Sequence, residues 1–385
     1  MANQYSLKEL TLYFLKLGYS GFGGPVALVG YMHKDLVEKR HWISEEEYKN
    51  GLALAQLAPG PLAAQLGIYL GFVHYGVLGA TLVGAAFVLP SFLMVLLLGM
   101  AYQQFGGLPW MQAVFYGVGA AVIGIIAVSS YKLTQKSIGK FTLQSLKTNW
   151  LLWSFFVGAC VFTGITKEEN AGLFIAAGFV YMLVKAPPKS FSKTTNSVLL
   201  LQMGFWEYDA SLLWKIALFF GEAGAFVFGS GLAIVPFLHA GVVQQYGWLT
   251  EQQFVDAVAV AMITPGPVVI TVGFIGYLVS GFWGATVAAL ATFLPCYLFT
   301  VLPAPYFQKI AQNTSIKAFV DGITAAVVGA LVGAVCVIGL RSIVDIPTAL
   351  LALASAFALI YSKKIQEPHI ILISAFVGFL VKMYL

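Results

Sequence analysis

One tripeptide occurs twice in this chain, and its composition suits it to anion binding. Pro59-Gly60-Pro61 and Pro265-Gly266-Pro267 each interrupt an otherwise apolar helical stretch. A proline ends the α conformation at the residue before it. Glycine permits backbone geometries that other residues avoid, and the second proline suits the first turn of a new helix. Each motif therefore predicts two half-helices. The second begins with backbone N–H groups that lack intrahelical partners and with about half a positive charge. Such an end is a ready anion site. At membrane depth it must be buried in protein or line an aqueous cavity. A second pair of breaks, Gly23-Gly24-Pro25 and Gly229-Ser230-Gly231, offers similar helix starts.

Polar side chains near these breaks form the next layer. Gln56, Gln65, Ser230, Thr264 and Thr271 have donors for an oxyanion, although helix-to-helix hydrogen bonding explains each one equally well alone. Lys16 and Glu222 stand at equivalent places about a turn before the glycine breaks. A charge within a span usually faces a cavity or a partner. Lys16 is expected to attract the anion, with snorkelling to an interface as the alternative. Glu222 is expected to pair with Lys16 or to accept a proton. Asp256, opposite Asn50 in the repeat, is a second candidate for ion coupling. His33 and His239 read as interfacial. Ser44 followed by Glu45-Glu46-Glu47 reads as an N-cap and a solvated first turn. Cys160, Cys296 and Cys336 lie singly in apolar segments and read as packing residues, so neither metal nor cofactor is expected.

The elements that carry these motifs are duplicated. With an offset of 206, residues 14–67 fall without gaps on the second half. Phe22-Gly23-Gly24 meets Phe228-Gly229-Ser230, His33 meets His239, Trp42 meets Trp248 and Glu45 meets Glu251. After a one-residue slip, Pro90 meets Pro295 and Gly117 and Gly124 meet Gly322 and Gly329. Hydrophobic residues make up 59% of the chain and charged residues 10%, and uncharged runs of membrane-spanning length recur. An all-α integral membrane protein follows. Expected spans are roughly 7–33, 76–102, 111–131, 150–165 and 170–185, then 212–238, 282–302, 318–340, 347–361 and 368–384. The repeats occupy 1–185 and 212–385, joined by a Pro-, Ser-, Thr- and Lys-containing linker at 186–211.

Loop charge sets the orientation. Lys34, Lys39, Arg40 and Lys49 lie in 34–49, whereas the corresponding 240–255 has no Lys or Arg. The stretch 131–149 carries Lys132, Lys136, Lys140 and Lys147, and its mate near 337–346 only Arg341 and Asp345. Basic loops are cytoplasmic, so corresponding loops face opposite sides and the repeats are inverted. Five complete spans plus one re-entrant hairpin per half, at 44–75 and 250–280, satisfy that parity, and so does an arrangement in which another segment is the re-entrant one. The linker, the loop with Lys309 and Lys317, and Lys363-Lys364 are then cytoplasmic. Duplicated, inverted repeats with broken helices predict a secondary transporter with its site at the repeat interface. A phosphate loop of the G-x-x-x-x-G-K-[ST] form, an H-E-x-x-H zinc motif and a G-x-S-x-G elbow are missing from the chain, which argues against an enzyme. The net charge of +5 sits in loops and does not indicate nucleic acid.

The motifs Phe22-Gly23-Gly24-Pro25, Ala55-Gln56-Leu57-Ala58-Pro59-Gly60-Pro61, Phe228-Gly229-Ser230-Gly231 and Ile263-Thr264-Pro265-Gly266-Pro267, spaced this way in two repeats, resemble the chromate ion transporter family of the long-chain type. The resemblance covers nearly the whole chain. It implies a multi-pass protein of the inner membrane that exports chromate and confers resistance, with sulfate as competitor. A sulfate or other oxyanion permease and an anion channel are the alternatives. The family's motif residues carry over to Gly23, Gly24, Pro25, Pro59, Gly60, Pro61, Gly229, Ser230, Gly231, Pro265, Gly266 and Pro267. A basic residue is common in the family where Lys16 stands and often also in the second repeat, where this chain has Glu222. That departure weakens any scheme built on two symmetric cations. The expected partners are an oxyanion and the lipid bilayer, with homo-oligomerisation left open.

Overall fold

The computed structural model describes residues 5–22, 24–167, 170–187, 212–227, 231–306, 313–362 and 365–384, which form helices with no strand among them. Gly23, Gly229, Ser230, most of the linker, Lys309 and Lys363-Lys364 lie outside the described residues. Helix α1 (Leu7–Ser20) starts at a Ser6–Glu9 capping box and stops at Gly21. Helix α2 (Gly24–Met32) resumes at Gly24, whose φ is 72°, and continues as a π-helical stretch through Lys39. The two helices fold back on each other. Tyr5, before α1, stacks on Trp42, beyond α2, with ring centroids 4.7 Å apart. One continuous helix would hold them about 55 Å apart. The expected single span at 7–33 is therefore a helical hairpin. Hydropathy cannot separate the two, because a returning pair of half-helices is as apolar as one crossing helix.

The Pro-Gly-Pro segment forms a second hairpin beside the first. Helix α3 (Glu45–Leu57) opens on a Ser44–Glu47 capping box. Helix α4 (Leu62–Phe105) bends at Tyr75 and at Gly76, where φ is 63°. Its first segment, 62–74, returns along α3, so that His74 comes within 3.7 Å of Glu47 and the Tyr5 ring lies 5.6 Å from His74. Both hairpins thus open at one end of the molecule, beside Lys39, Arg40 and Lys49. The second segment, 77–105, then leads away from it.

The second repeat has the same design. Helix α9 (Leu212–Ala225) pairs with a run from Gly231 through α10 (Val235–His239) to Gln245. Phe219 meets Phe237 and Trp248 at 5.4 and 5.8 Å between ring centroids. These are the repeat mates of Tyr13, Tyr31 and Trp42, and Tyr13 donates to the Tyr31 carbonyl in the same way. Helix α11 (Glu251–Ile263) and α12 (Thr271–Val301) form the second hairpin, with the bend repeated at Ser280 and Gly281.

Contacts between α4 and α12 show the inversion. Thr81, near the start of the long segment of α4, touches Tyr297 near the end of α12. At the other end of α4, Tyr102 bonds Asp256 and packs on Phe274 at 5.5 Å, in the second repeat's hairpin. The hairpins of the two repeats therefore open at opposite ends.

The remaining helices exchange partners between repeats. Helices α7 (Trp150–Thr166) and α8 (Ala171–Lys185), which follow α5 (Pro109–Ser137) and the short α6 (Leu143–Thr148), pack on α13 (Thr314–Ser342). Helices α14 (Ile346–Tyr361) and α15 (Glu367–Tyr384) pack on α5. Glycines make these crossings close. Gly124 and Gly329, repeat mates, lie against the Ala352 and Phe156 carbonyls, where a side chain would collide. Small residues set such approaches in membrane helices. At the α14 turn, the Tyr116 hydroxyl and the Thr348 backbone N–H hold the Asp345 carboxyl below the usual carboxylate range. Among the described residues, four helical stretches are long and apolar enough to cross a membrane: 62–105, 109–137, 268–306 and 314–342. Two helical hairpins precede the first long segment of each half, where one was expected.

Candidate anion site at the paired helix breaks

The four breaks meet in two repeat-related pairs. Gly60 N–H donates to the Val227 carbonyl at 2.6 Å, and Gly266 N–H donates to the Gly21 carbonyl at 2.9 Å. Gly266 is the mate of Gly60 and Val227 the mate of Gly21. Each Pro-Gly-Pro turn therefore docks on the first-hairpin break of the other repeat. Both glycines have positive φ, 144° and 96°, and this conformation directs the N–H across the interface. The turns are braced from behind. Gln65 Nε2 donates to the Pro59 carbonyl at 2.8 Å, and Ser91 Oγ donates to the Pro265 carbonyl at 2.7 Å. Cys296, the repeat mate of Ser91, lies against Gly60.

Beyond the first turn the electrostatics favour an anion. Pro61 is the N-cap of α4, and the side chains of Leu62, Ala63 and Ala64 are buried. None of their backbone N–H groups meets an acceptor among the described residues, the first returning bond being Gln65 N–H to the Pro61 carbonyl. A buried polar group without a partner costs roughly 1–3 kcal/mol. Three together stand at the positive end of a helix. Gln65 is fully buried and its Oε1 has no partner among the described residues. On the other side of the interface, Gly231 is buried against Val268 and Val269 at the start of the second hairpin's return.

Other predicted residues are placed differently. Thr264 and Thr271 are buried, but their hydroxyls donate to the Val260 and Val268 carbonyls, each at 2.7 Å. In this arrangement those protons are not offered to an oxyanion. Gln56 is exposed in a cleft of about 310 Å³ shared with Lys136, Lys317, Asp321 and Thr324. Lys16 is exposed and Glu222 half-buried, and no ion pair joins them. The buried face of α1 is Leu10, Tyr13, Phe14 and Leu17, so Lys16 projects from the other side. Asp256 is buried away from the turns, and both its oxygens accept hydrogen bonds, from Tyr102 at 2.7 Å and Gln252 at 2.8 Å. Gly24 and Pro25 start α2 as expected. Among the described residues no cluster of three metal-ligating side chains occurs.

The structure adds one residue that sequence reasoning passed over. Glu367 Oε2 lies 3.7 Å from the position a Gly24 side chain would take, which sets a carboxylate beside the start of α2. The available signal was an acid followed by Pro368 at the head of an apolar segment, but no repeat partner drew attention to it. Lys136 and Lys317 were visible only as loop charges.

Comparison with known proteins agrees with this architecture. A family model described as Chromate transporter matches residues 8–183 and 214–379, one part per repeat. A chromate transport protein of Cupriavidus metallidurans is 62% identical over 98% of this chain and 94% of its own length. A probable chromate transport protein of Synechococcus elongatus is 60% identical over 97% of this chain and 95% of its own. A chromate transport protein of Pseudomonas aeruginosa is 28% identical over 98% and 92%. No solved structure matches the chain. With both repeats matched and such identity over nearly the full length, this multi-pass membrane protein belongs to the chromate transporter family.

Proposed function

We propose that the chain exports chromate across the inner membrane, with sulfate, a tetrahedral dianion of similar shape, as competitor. The observation that carries this reading is the reciprocal docking of the two Pro-Gly-Pro turns, with three N–H groups at the head of α4 that meet no acceptor among the described residues. Backbone donors suit an oxyanion without a metal. The site comprises the break residues Gly23, Gly24, Pro25, Pro59, Gly60, Pro61, Gly229, Ser230, Gly231, Pro265, Gly266 and Pro267, with Gln65 behind them. Both hairpins of each repeat are re-entrant in this reading. The hairpin mouth beside Arg40 and Lys49 faces the cytoplasm with the other basic loops. Lys16, exposed on α1, and the cleft lysines Lys136 and Lys317 draw the anion in, and Glu222 and Asp256 are the candidates for coupling.

Transport proceeds by alternating access, the repeats rocking around the paired breaks. Direction follows from charge. At about 2.3 kcal/mol per charge per 100 mV, a dianion leaving a cell polarised at about 150 mV gains on the order of 7 kcal/mol. That sustains a gradient of roughly 10⁵. Export needs no coupled ion, whereas uptake of sulfate does. The test is accumulation of labelled chromate in everted membrane vesicles, with and without an imposed potential and with excess sulfate. Potential-driven, sulfate-inhibited accumulation supports the reading. Sulfate movement without chromate movement overturns the substrate, and flux without exchange of labelled for unlabelled anion favours a channel.

A further inference from the structure

The second hairpins of the two repeats correspond in sequence but not in how they are covered. Helix α11 buries nine consecutive residues, Phe254 to Met262, whereas α3 buries only Tyr48, Gly51, Leu54 and Ala55. The difference is the cleft of about 310 Å³ between α3 and the ends of α5 and α13, lined by Ala53 and Gln56 on one side and by Lys136, Lys317, Asp321 and Thr324 on the other. The repeat mates of Ala53 and Gln56 are Ala259 and Met262, and both are buried. The corresponding cleft of the second repeat is therefore shut.

A charge cluster fastens it. Arg341, in the last turn of α13, forms an ion pair with Glu251, the first residue of α11. Glu251 also meets His239 Nε2 at 2.6 Å and accepts from Gln244 Nε2 at 3.0 Å. The repeat mates of these residues are Lys136, in the last turn of α5, with Glu45 and His33. There the His33–Glu45 contact is kept at 2.9 Å, but Glu45 pairs with Lys49 at 3.2 Å. Lys136 has no ion pair among the described residues and lines the open cleft. One cation-to-hairpin contact is made, and among the described residues its repeat mate is not.

We propose that Arg341–Glu251 is the gate that shuts the pathway on the face opposite the lysine-rich loops, and that Lys136–Glu45 is the repeat-related gate that fastens when the first releases. This rests on the alternating-access reading and names the residues that set its two states. The guanidinium keeps its charge and can fork onto a carboxylate, so the fastened latch is the more specific of the two.

The experiment is site-directed labelling in a chain carrying Cys160→Ala, Cys296→Ser and Cys336→Ala, with Gln56→Cys or Met262→Cys added. An impermeant maleimide is applied from either face of vesicles, with no oxyanion present. Gln56→Cys should label quickly from the lysine-rich face, and Met262→Cys should be protected from both faces. Glu251→Gln or Arg341→Gln should raise Met262→Cys labelling from the opposite face at least tenfold and slow Gln56→Cys. The exchange Glu251→Arg with Arg341→Glu should restore protection. If the neutral variants leave both labelling rates unchanged, or if the exchange behaves like the single variants, the gate assignment is wrong. Should the neutral variants not accumulate in the membrane, Arg341→Lys replaces them. Labelling of Met262→Cys above the parent rate then supports the gate, and the parent rate overturns it. Because no oxyanion is present, the gate can fail while chromate flux stands, and it can stand while chromate fails to move.

Discussion

Gly266→Ala probes the paired breaks most directly. Gly266 has φ 96°, a region that a residue with a Cβ occupies at a cost of order 1–3 kcal/mol. Its new methyl group would overlap the Ser91 hydroxyl and approach the Gly18 carbonyl at 3.3 Å. Overpacking of that kind costs about 1–3 kcal/mol. Ser91 cannot simply rotate away, because its Oγ donates to the Pro265 carbonyl at 2.7 Å and turning it would leave that buried acceptor unsatisfied. The variant should therefore be destabilised by about 2–6 kcal/mol. It should also lose flux, since the strained turn cannot hold the Gly266 N–H on the Gly21 carbonyl. Ser91→Ala alone should cost about 1–3 kcal/mol for the lost hydrogen bond. Combined with Gly266→Ala it removes the overlap but not the strain in φ. The pair should then cost about 1–3 kcal/mol less than the sum of its parts. Thermal inactivation of the purified protein and vesicle flux, normalised to membrane level, give the readouts. Wild-type stability and flux in Gly266→Ala, or strict additivity with Ser91→Ala, would refute the reasoning.

Tyr102→Phe removes a donor from the buried Asp256 carboxylate and should destabilise by about 1–3 kcal/mol, seen as a lower inactivation temperature. Neutralising Lys136 and Lys317 together should reduce initial flux most at low ionic strength, and the deficit should shrink as salt screens the cleft. A salt-independent deficit would point to direct coordination instead. Glu367→Gln removes a negative charge beside the start of α2. The half-saturating chromate concentration should therefore fall, and an unchanged value would separate Glu367 from the site.

The sequence by itself determined the membrane class, the duplication, the helix breaks and the inversion. Each is a local or pairwise property of the chain. Apolar runs and Pro-Gly-Pro need no partner to be recognised, and a fixed offset brings Gly60 onto Gly266 before any contact is known. Loop lysines record the orientation because the membrane, rather than the fold, selects them. The tertiary structure alone decided what the breaks face. That residues 7–39 fold back as a hairpin is seen in Tyr5 meeting Trp42, and that Gly60 bonds Val227 depends on how two repeats interlock. The hydroxyl protons of Thr264 and Thr271 are directed to their own helices by side-chain geometry, not by composition. Glu367 comes beside Gly24 although 343 residues separate them. Repeat symmetry gives Lys136 and Arg341 the same place in the sequence. Their different surroundings, a cleft for Lys136 and an ion pair with Glu251 for Arg341, are decided by how the helices pack.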